Sequence, residues 1–375
     1  MAKPTTRRHQ TPTLTAYLAR RFALYLMATL AALGAFAYLL DVVDLLAKAG
    51  GLGIPTPTLL TMSAFKLPDL LQQLLPFAVL LATLVTLTQL NRSSELVALR
   101  ASGLPARRIM VGPLLVVILT GAFALTLLNP TAATLLKRYE VWSSQTFPGR
   151  AKGLVTQGGS IWLKQQITLT SSTTPSTLFI YGQKVGNEGT TIHTASLFVL
   201  TPQGTLTHRL ETPLLTLTPG QWTLTSPTTI TPSNKQLPPT ATIPTSLTPT
   251  LLQNSFTQAS TLSVWELQGF IANLNATGFP SQIHTTTYHR LIALPAFLIA
   301  MFLLGVPFAV RFQRNASLAG VVGLGLGLGM GFYLFSNFTA TLGMAGRLSP
   351  ILAAWAPTGI ATLLALALLV YLREE

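Results

Sequence analysis

The stretch FALYLMATLAALGAFAYLL occupies positions 22–40 and contains no charged residue. An α-helix rises about 1.5 Å per residue, so a run of this length is enough to cross the roughly 30 Å hydrocarbon core of a bilayer. Asp41 and Asp44 follow it, and no small-x-small cleavage site of a secretory signal peptide is present. We therefore expect a retained membrane-spanning helix.

Further uncharged stretches are as long or longer. They occupy positions 70–90, 109–128, 291–310, 315–346 and 348–372, whereas the segment between about 130 and 288 contains no apolar run long enough to cross a membrane. The sequence thus predicts an α-helical membrane protein with six transmembrane helices, arranged 3+3 around an inserted periplasmic β-jellyroll domain. The predicted divisions are 1–129 for the first three spans, 130–260 for the β domain, 261–286 for a connector and 287–375 for the last three spans.

The composition agrees with this class. Of 375 residues, 49% are hydrophobic and 9% are charged, with a mean hydropathy of +0.51. Soluble domains carry about 25% charged residues, so an ordinary soluble enzyme is excluded. The chain has no cysteine, which also excludes disulfides and thiolate sites for metals or catalysis.

The net charge of +14 would point to nucleic acid in a soluble protein, but in a membrane protein basic residues first mark cytoplasmic loops. On one side of the predicted membrane, the short loops contain only Lys48, Lys66 and Arg347. The other side carries Lys3, Arg7, Arg8, Arg20, Arg21, Arg92, Arg100, Arg107, Arg108, Arg311, Arg314 and Arg373. Both termini are therefore expected in the cytoplasm and the insert in the periplasm, with no nucleic-acid partner.

The insert is rich in threonine and proline. Positions 201–250 contain 16 Thr and 9 Pro, a composition also found in extracellular stalks. Strands are favoured because Thr alternates with Leu, Ile, Phe and Trp at the period of a half-buried strand. The candidate strands are 159–164, 178–181, 196–200, 206–209, 213–217 and 221–225. Short strands at this spacing predict a sandwich or jellyroll of about eight strands.

Positions 264–274 follow the insert and have the apolar pattern of an amphipathic helix. The residues expected along one side of it are Trp265, Leu267, Phe270, Ile271 and Leu274. This pattern predicts a connector that lies near the outer membrane surface.

No segment predicts a catalytic, metal or cofactor site. The glycines of 320–331 formally match a phosphate-binding loop, but no strand precedes them and no Lys-Ser/Thr follows. Close, mobile helix packing is the better interpretation. The five histidines are scattered, and His289 with Arg290 is interpreted as an interfacial anchor. Enzymatic activity of this chain is not expected.

The segment QLNRSSELVALRASGLPARR, at positions 89–108, separates the second and third spans. The serines at 93–94 can cap a short helix with Glu95 in its first turn, and Gly103 can end it. A loop that only fixes topology explains the arginines but not the apolar side of this helix. The apolar residues on that side are Leu96, Val97 and Leu99. Such a side predicts a partner with a groove for the helix.

Within this segment, SELVALRASG at 94–103 closely resembles the coupling-helix signature of the lipopolysaccharide export permeases, the LptF/LptG (YjgP/YjgQ) family. The resemblance covers the whole chain. The stretch DVVDLLAKAG at 41–50 is more similar to the LptG member of the family than to LptF.

The resemblance implies a permease half with an ATPase in a separate chain. One LptF-type and one LptG-type half would lie on a dimer of an LptB-type ATPase. ATP hydrolysis there would extract lipopolysaccharide from the outer leaflet of the inner membrane and pass it on through LptC-type and LptA-type proteins. The absence of a Walker motif fits this division of labour.

Roles for individual residues follow from the resemblance. Glu95 corresponds to the glutamate that meets the ATPase. The residues around it would be Arg92, Leu96, Leu99, Arg100 and Gly103. Lys48, Lys137 and Arg138 match positions that hold lipid phosphates, with ordinary headgroup anchoring as the alternative. Asp41 and Glu140 depart from the family, which has basic residues there.

Helices 1 and 5 form the lateral gate in this family, and here the predicted helix 5 is rich in glycine. The glycines assigned to gate movement are Gly320, Gly323, Gly327 and Gly331. Two other functions remain open on the sequence alone. The chain could be a permease half for another amphiphile, such as a lipoprotein or phospholipid, or a scaffold whose β domain binds periplasmic partners.

Overall fold

The structure is a computed structural model. It describes residues 11–50, 53–103, 106–147, 161–167, 176–185, 191–201, 205–218, 220–231, 240–245, 258–277, 280–311 and 318–374. The chain divides into a helical unit, Met1–Trp142 with Gln282–Glu375, and a β unit, Ser143–Ser281.

The helical unit is built from long apolar helices and one short helix. Before the β unit they are α1 Thr11–Ala49, α2 Thr56–Arg92, α3 Glu95–Ala101, α4 Ala106–Phe123 and α5 Asn129–Thr146. After the β unit, which contains α6 Val264–Thr277, they are α7 Gln282–Arg311, α8 Leu318–Met344 and α9 Pro350–Glu374. Helices cover the described residues of the predicted spans except 345–346 and 348–349, which lie between α8 and α9. Within the described residues, five segments are long and apolar enough to cross a membrane: 14–49, 56–92, 108–146, 282–309 and 350–371.

The fifth predicted span corresponds to α8, which is not among those five segments. Its 27 residues would extend about 40 Å, long enough to cross, and they include no charged residue. The five segments lie among the described residues, and several side chains at the beginning of α8 are outside them. The predicted residues 315–317 lie outside the described part of the chain.

The third span is longer than its apolar stretch predicted. A π-helical segment, Ala124–Leu128, joins α4 to α5, and the helix then continues to Thr146. Residues 130–146, which the sequence placed in the β domain, are therefore helical. The continuation has a packing reason, because Ala132, Ala133 and Leu136 remain buried along it.

One hydrophobic core unites the helical unit. It includes Leu18 and Phe22 of α1, residues 75–90 of α2 and residues 298–309 of α7. The rings of Phe22 and Phe302 meet edge to face, with centroids 5.8 Å apart. Buried apolar side chains of this kind hold the helices against one another inside the protein, independently of what surrounds the outer faces of the helices.

The β unit contains an antiparallel sheet. Its strands are β1 Ile161–Ile167, β2 Ser176–Val185, β3 Thr191–Leu200, β4 Leu206–Thr218, β5 Gln221–Thr225, β6 Thr228–Thr231 and β7 Thr240–Pro244. Their order is β1-β2-β3-β4-β5-β7, and β6 pairs with the first half of the long strand β4. The described residues thus form seven strands in one sheet, where about eight were expected. Positions 159–160 of the first predicted strand lie outside the described residues.

The alternation of Thr with apolar residues gives this sheet one buried face. Leu215 and Leu217 of β4 face Leu224 and Trp222 of β5 across the sheet, and all four side chains are buried. Ile180 of β2 belongs to the same core. The prediction that threonine-rich pieces form strands rather than a disordered stalk is confirmed for the described strands.

The predicted connector is helix α6, Val264–Thr277, in the β unit. Ser263 and Glu266 cap its beginning, because the Glu266 carboxylate accepts hydrogen bonds of 2.8 Å from the Ser263 backbone N–H and hydroxyl. Leu267 and Leu274 are buried, but the Trp265 side chain is 64% exposed. Placing Trp265 on the same side as the leucines was wrong, since the buried side begins at Val264 instead.

Candidate functional site

The short helix α3 follows α2 after a tight turn at Ser93 and Ser94. The Ser94 carbonyl accepts the first hydrogen bond of the helix, from the Ala98 N–H at 3.0 Å. Ser94 has φ 58° and Gly103, just beyond the helix, has φ 80°. The predicted short helix is therefore present, but its entry uses a left-handed serine, a conformation that is uncommon outside glycine and asparagine.

Glu95, the predicted ATPase-contacting residue, lies in a network of hydrogen bonds with α1. Arg21 Nη1 donates to both carboxylate oxygens of Glu95 at 2.7 Å, and Tyr17 Oη donates to Oε2 at 2.9 Å. The Ser93 hydroxyl donates to Oε1 at 2.8 Å, and Arg21 also donates to Tyr17 Oη at 2.7 Å. The Glu95 side chain nevertheless remains 34% exposed, so part of the carboxylate faces outward.

The same contacts favour the charged form of Glu95. The hydrogen bond from Arg21 is the largest influence, and it holds the pKa of the Glu95 carboxyl below its ordinary value of 4.5. Burial acts in the opposite direction, and the hydrogen bonds from Ser93 and Tyr17 support Arg21. At neutral pH the tip of α3 therefore presents a carboxylate.

The apolar side of α3 is covered by its own chain. Leu96 is only 3% exposed and belongs to the core that contains Leu18, Phe22 and Ile109, and Leu99 packs against that core. Among the described residues, α1, α2 and α4 supply the neighbours of Leu96 and Leu99, and docking of a partner on this side stays a prediction. Sequence alone could not show this, since those neighbours are distant in the chain.

The remaining residues predicted around Glu95 are Arg92, Arg100 and Gly103. Arg92 and Gly103 are exposed beside α3. The side chain of Arg100, like that of Val97, lies outside the described part of the structure. Among the described residues, the exposed surface on and beside α3 combines the charged groups of Arg92 and Glu95 with the small side chains of Ala98 and Ala101.

The other end of α1 carries a second ion pair. Asp41 of α1 pairs with Lys66 of α2, and the Ser63 hydroxyl donates to Asp41 Oδ2 at 2.8 Å. The Asp41 side chain is only 7% exposed. The Lys66 ammonium also lies 5.8 Å from the centre of the Tyr139 ring on α5, within cation–π distance. Lys66 thus links α1, α2 and α5.

The predicted lipid-contacting residues are not gathered into one cluster. Lys48 pairs with Asp44 one turn earlier on α1. Lys137 and Arg138 are exposed on α5, and among the described residues neither has an ion pair. Glu140, a predicted departure from the family, is half-buried two residues further on.

The glycines of α8 face two ways. A Cβ at Gly325 would lie 2.7 Å from Leu81 and Leu84, and one at Gly329 would lie 2.6 Å from Phe77, so these two glycines pack closely against α2. Gly323, Gly327 and Gly331 have no such neighbour within 4 Å among the described residues, and Gly320 is exposed. The close approach predicted for this helix therefore belongs to Gly325 and Gly329, which were not among the four glycines assigned to the gate.

Arg290 lies inside a helix rather than at its entry. It is half-buried in α7, and its Nη2 donates to Asn337 Oδ1 of α8 at 3.3 Å. The Tyr288 and His289 rings meet one residue earlier, 5.5 Å apart. The sequence shows an arginine and an asparagine in two apolar helices. It does not show that these two side chains contact each other, which only the fold reveals.

These observations define a class of protein. Long apolar helices in two groups, an antiparallel sheet inserted between them and a short polar-tipped helix after α2 are the architecture of a multi-pass membrane permease with an inserted β domain. The family described as "Lipopolysaccharide export system permease LptF/LptG" matches residues 16–371, and the chain belongs to it. A search of curated proteins found no match.

Membership of this family confirms the resemblance seen in the sequence. The family is the permease of the lipopolysaccharide export system, and membership implies work in a complex with other components of that system. Together with the five apolar helices, it points to a multi-pass protein of the inner membrane. No catalytic domain is evident among the residues that the structure describes.

Proposed function

We propose that this chain is an LptG-type half of the lipopolysaccharide export permease. It extracts lipopolysaccharide from the outer leaflet of the inner membrane, driven by ATP hydrolysis in a separate LptB-type ATPase dimer. Both termini lie in the cytoplasm and the β unit in the periplasm. The family match over nearly the whole chain is the observation that carries this proposal.

The ATPase binds at α3 in this proposal. Glu95 supports it, because its carboxylate is charged at neutral pH and is partly exposed at the beginning of a short surface helix. Arg92 lies exposed beside it. Leu96 is left out of the contact surface because the chain's own core covers it. The charges of Glu95 and Arg92 on this docking surface favour specific orientation over bulk hydrophobic binding.

Lys137 and Arg138 are proposed to hold the phosphates of the lipid. Both are exposed, adjacent and without an ion pair among the described residues, so their charge is available to an anion. Lys48 is a weaker candidate because Asp44 already offsets its charge. A gate between α1 and α8 completes the proposed path, with the exposed face of α8 as the side that moves.

The partners follow from the same assignment. An LptF-type chain supplies the second permease half, an LptC-type subunit joins the complex, and an LptA-type protein continues the bridge. The similarity of residues 41–50 to LptG supports the LptG role over the LptF role. No cofactor is assigned to this chain.

Purification of the tagged chain from native membranes tests this proposal. Mass spectrometry of the bound proteins and lipids should identify an ATPase, a second and different permease half of the same family, and lipopolysaccharide. Recovery of lipoprotein or phospholipid as the bound amphiphile would contradict the substrate. Recovery of a second half with stronger LptG character would reverse the LptG assignment.

Two matched charge reversals locate the contacts. Glu95→Arg should remove the ATPase from the purified complex, whereas Glu211→Arg, an exposed carboxylate of the β unit, should not. Lys137→Glu with Arg138→Glu should reduce the bound lipopolysaccharide but keep the ATPase. Arg347→Glu, at an exposed arginine in the loop before α9, serves as the control for lipid binding. Equal lipid content in both variants would remove Lys137 and Arg138 from the site.

A further inference from the structure

Glu95 of α3 is tied to two residues of α1 that no sequence pattern pointed to. Arg21 and Tyr17 are one helical turn apart, so both reach the same carboxylate. Arg21 Nη1 lies 2.7 Å from both Glu95 oxygens and from Tyr17 Oη. Three polar groups on two helices therefore form one closed set of hydrogen bonds, which we call the α1–α3 clasp.

The clasp lies beside apolar contacts of the same two helices. Leu18 and Phe22 of α1 belong to one buried core with Leu96, which follows Glu95 directly in α3. Among the described residues, the backbone of α3 packs mainly on α2. The side chains of Glu95 and Leu96 are thus the means by which α3 also reaches α1.

The clasp uses the hydrogen-bonding capacity of the carboxylate. A carboxylate has about four positions for accepting hydrogen bonds, and here Arg21 uses both oxygens, Tyr17 uses Oε2 and Ser93 uses Oε1. The outward part of the Glu95 side chain is still open to solvent. A partner's basic group can therefore approach that part and be attracted by its charge, while Arg21 and Tyr17 still hold the carboxylate.

Helix α1 is long enough to carry a displacement across the membrane. Its 39 residues extend about 58 Å, roughly twice the hydrocarbon thickness. Arg21 lies near the first end of this helix, and Asp41, twenty residues later, is fixed to α2 near the other. A displacement of Arg21 is therefore transmitted along a continuous helix, which is attached to α2 at Asp41, beyond the apolar stretch.

We propose that Arg21, supported by Tyr17, is a positioning residue that couples α3 to α1, so that movement of α3 by the ATPase is passed directly to α1. This inference rests on the proposed function, in which the ATPase binds at α3. It adds a residue outside the docking surface whose contact is intramolecular. Arg21 acts through Glu95 and touches neither nucleotide nor lipid in this scheme.

The neighbouring Arg20 provides a matched control. It is exposed on α1 with no ion pair among the described residues, so Arg20→Met removes the same charge from the same turn without opening the clasp. Arg21→Met and Tyr17→Phe remove donors from Glu95. Arg21→Lys keeps a donor and a charge, and it should restore part of the coupling.

The test uses the full complex with its ATPase, reconstituted in liposomes, and measures lipopolysaccharide released per ATP hydrolysed. Arg21→Met should lower this ratio by up to about fivefold, the factor expected for a partly exposed ion pair. Tyr17→Phe should lower it less, and Arg20→Met should match the unchanged chain. Where Arg21→Met fails to assemble, Arg21→Gln keeps a neutral donor to Glu95 without the charge and should lower the ratio in the same direction.

The outcomes separate this inference from the function it rests on. A working complex in which Arg21→Met, or Arg21→Gln, releases as much lipid per ATP as Arg20→Met overturns the role of Arg21 and leaves the proposed function standing. An unchanged chain that brings down no ATPase or releases no lipopolysaccharide overturns the proposed function and the coupling role together.

Discussion

An ion pair lies towards each end of α1, and the sign of the charge that α1 supplies differs between the two pairs. At the first end α1 supplies the cation, Arg21, to Glu95 of α3, and at the other it supplies the anion, Asp41, to Lys66 of α2. The pairs are twenty residues apart, or about 30 Å along a helix. Glu95 is about one-third exposed and Asp41 is almost fully buried.

Because of this difference in exposure, the Arg21–Glu95 pair is accessible to another molecule and the Asp41–Lys66 pair is not. An exposed pair is screened by water and adds little to stability, but its carboxylate remains accessible to another molecule. A buried pair is costly to break because either partner left alone is an uncompensated charge. We therefore expect the Arg21–Glu95 pair to affect function and the Asp41–Lys66 pair to affect folding.

The largest effect is expected on breaking the buried pair. Asp41→Leu leaves Lys66 half-buried without its carboxylate and should destabilise the helical unit by about 3–5 kcal/mol. The double variant Asp41→Leu/Lys66→Met should recover most of this loss. Thermal unfolding in detergent, followed by the helical circular dichroism signal, measures both. A single variant as stable as the double variant would show that the pair is not a folding constraint.

An intermediate effect is expected where the first end of α1 meets α4. A Cβ at Gly112 would lie 2.5 Å from the Thr15 carbonyl oxygen, which is backbone and cannot rotate away. Gly112→Ala should therefore cost about 1–3 kcal/mol of stability by overpacking. Gly34→Ala is the control, because its Cβ would meet only the flexible end of Leu71. Equal unfolding temperatures for the two variants would contradict this distinction.

The smallest effect on stability is expected at the exposed pair. Glu95→Gln should cost no more than about 1 kcal/mol at neutral pH. Because the pKa of Glu95 is lowered on folding, its contribution is present above the ordinary value of 4.5 and is lost as the pH falls through the lowered value.

Stability curves of the unchanged chain and of Glu95→Gln should therefore run parallel from pH 7 to about pH 5 and converge on further acidification. Unfolding midpoints collected across this range check the prediction. A difference that grows on acidification would mean that the carboxyl is more easily protonated in the folded chain than in the unfolded one.

Much of the fold could be predicted from the sequence because uncharged runs and period-two alternation are local signals. The uncharged runs predict the positions of α1, α2, α7 and α9, and the period-two alternation predicts those of most strands. The continuation of α5 to Thr146 was missed because packing, and not hydropathy, maintains it.

The candidate site was predictable only in part. Glu95 and its short helix stand out locally, but Arg21 is 74 residues away from Glu95 in the chain. The pairing of Asp41 with Lys66 likewise depends on how α1 and α2 align after their connecting turn. The sequence could not show which glycines of α8 pack closely against another helix. Residues two apart lie on nearly opposite sides of a helix, so only the tertiary contacts determine which side is packed.

The open side of α8 has a consequence for any neighbour that lies against it. Side chains normally form ridges that fit the grooves of an adjacent helix and so select a few crossing angles. Gly323, Gly327 and Gly331 provide no ridge of their own and have no close neighbour among the described residues, but the exposed side chains of Leu326, Met330 and Leu334 stand beside them. A lipid chain or a second helix placed there meets a shallow groove of bare backbone, bordered by one row of large apolar side chains that it can move along.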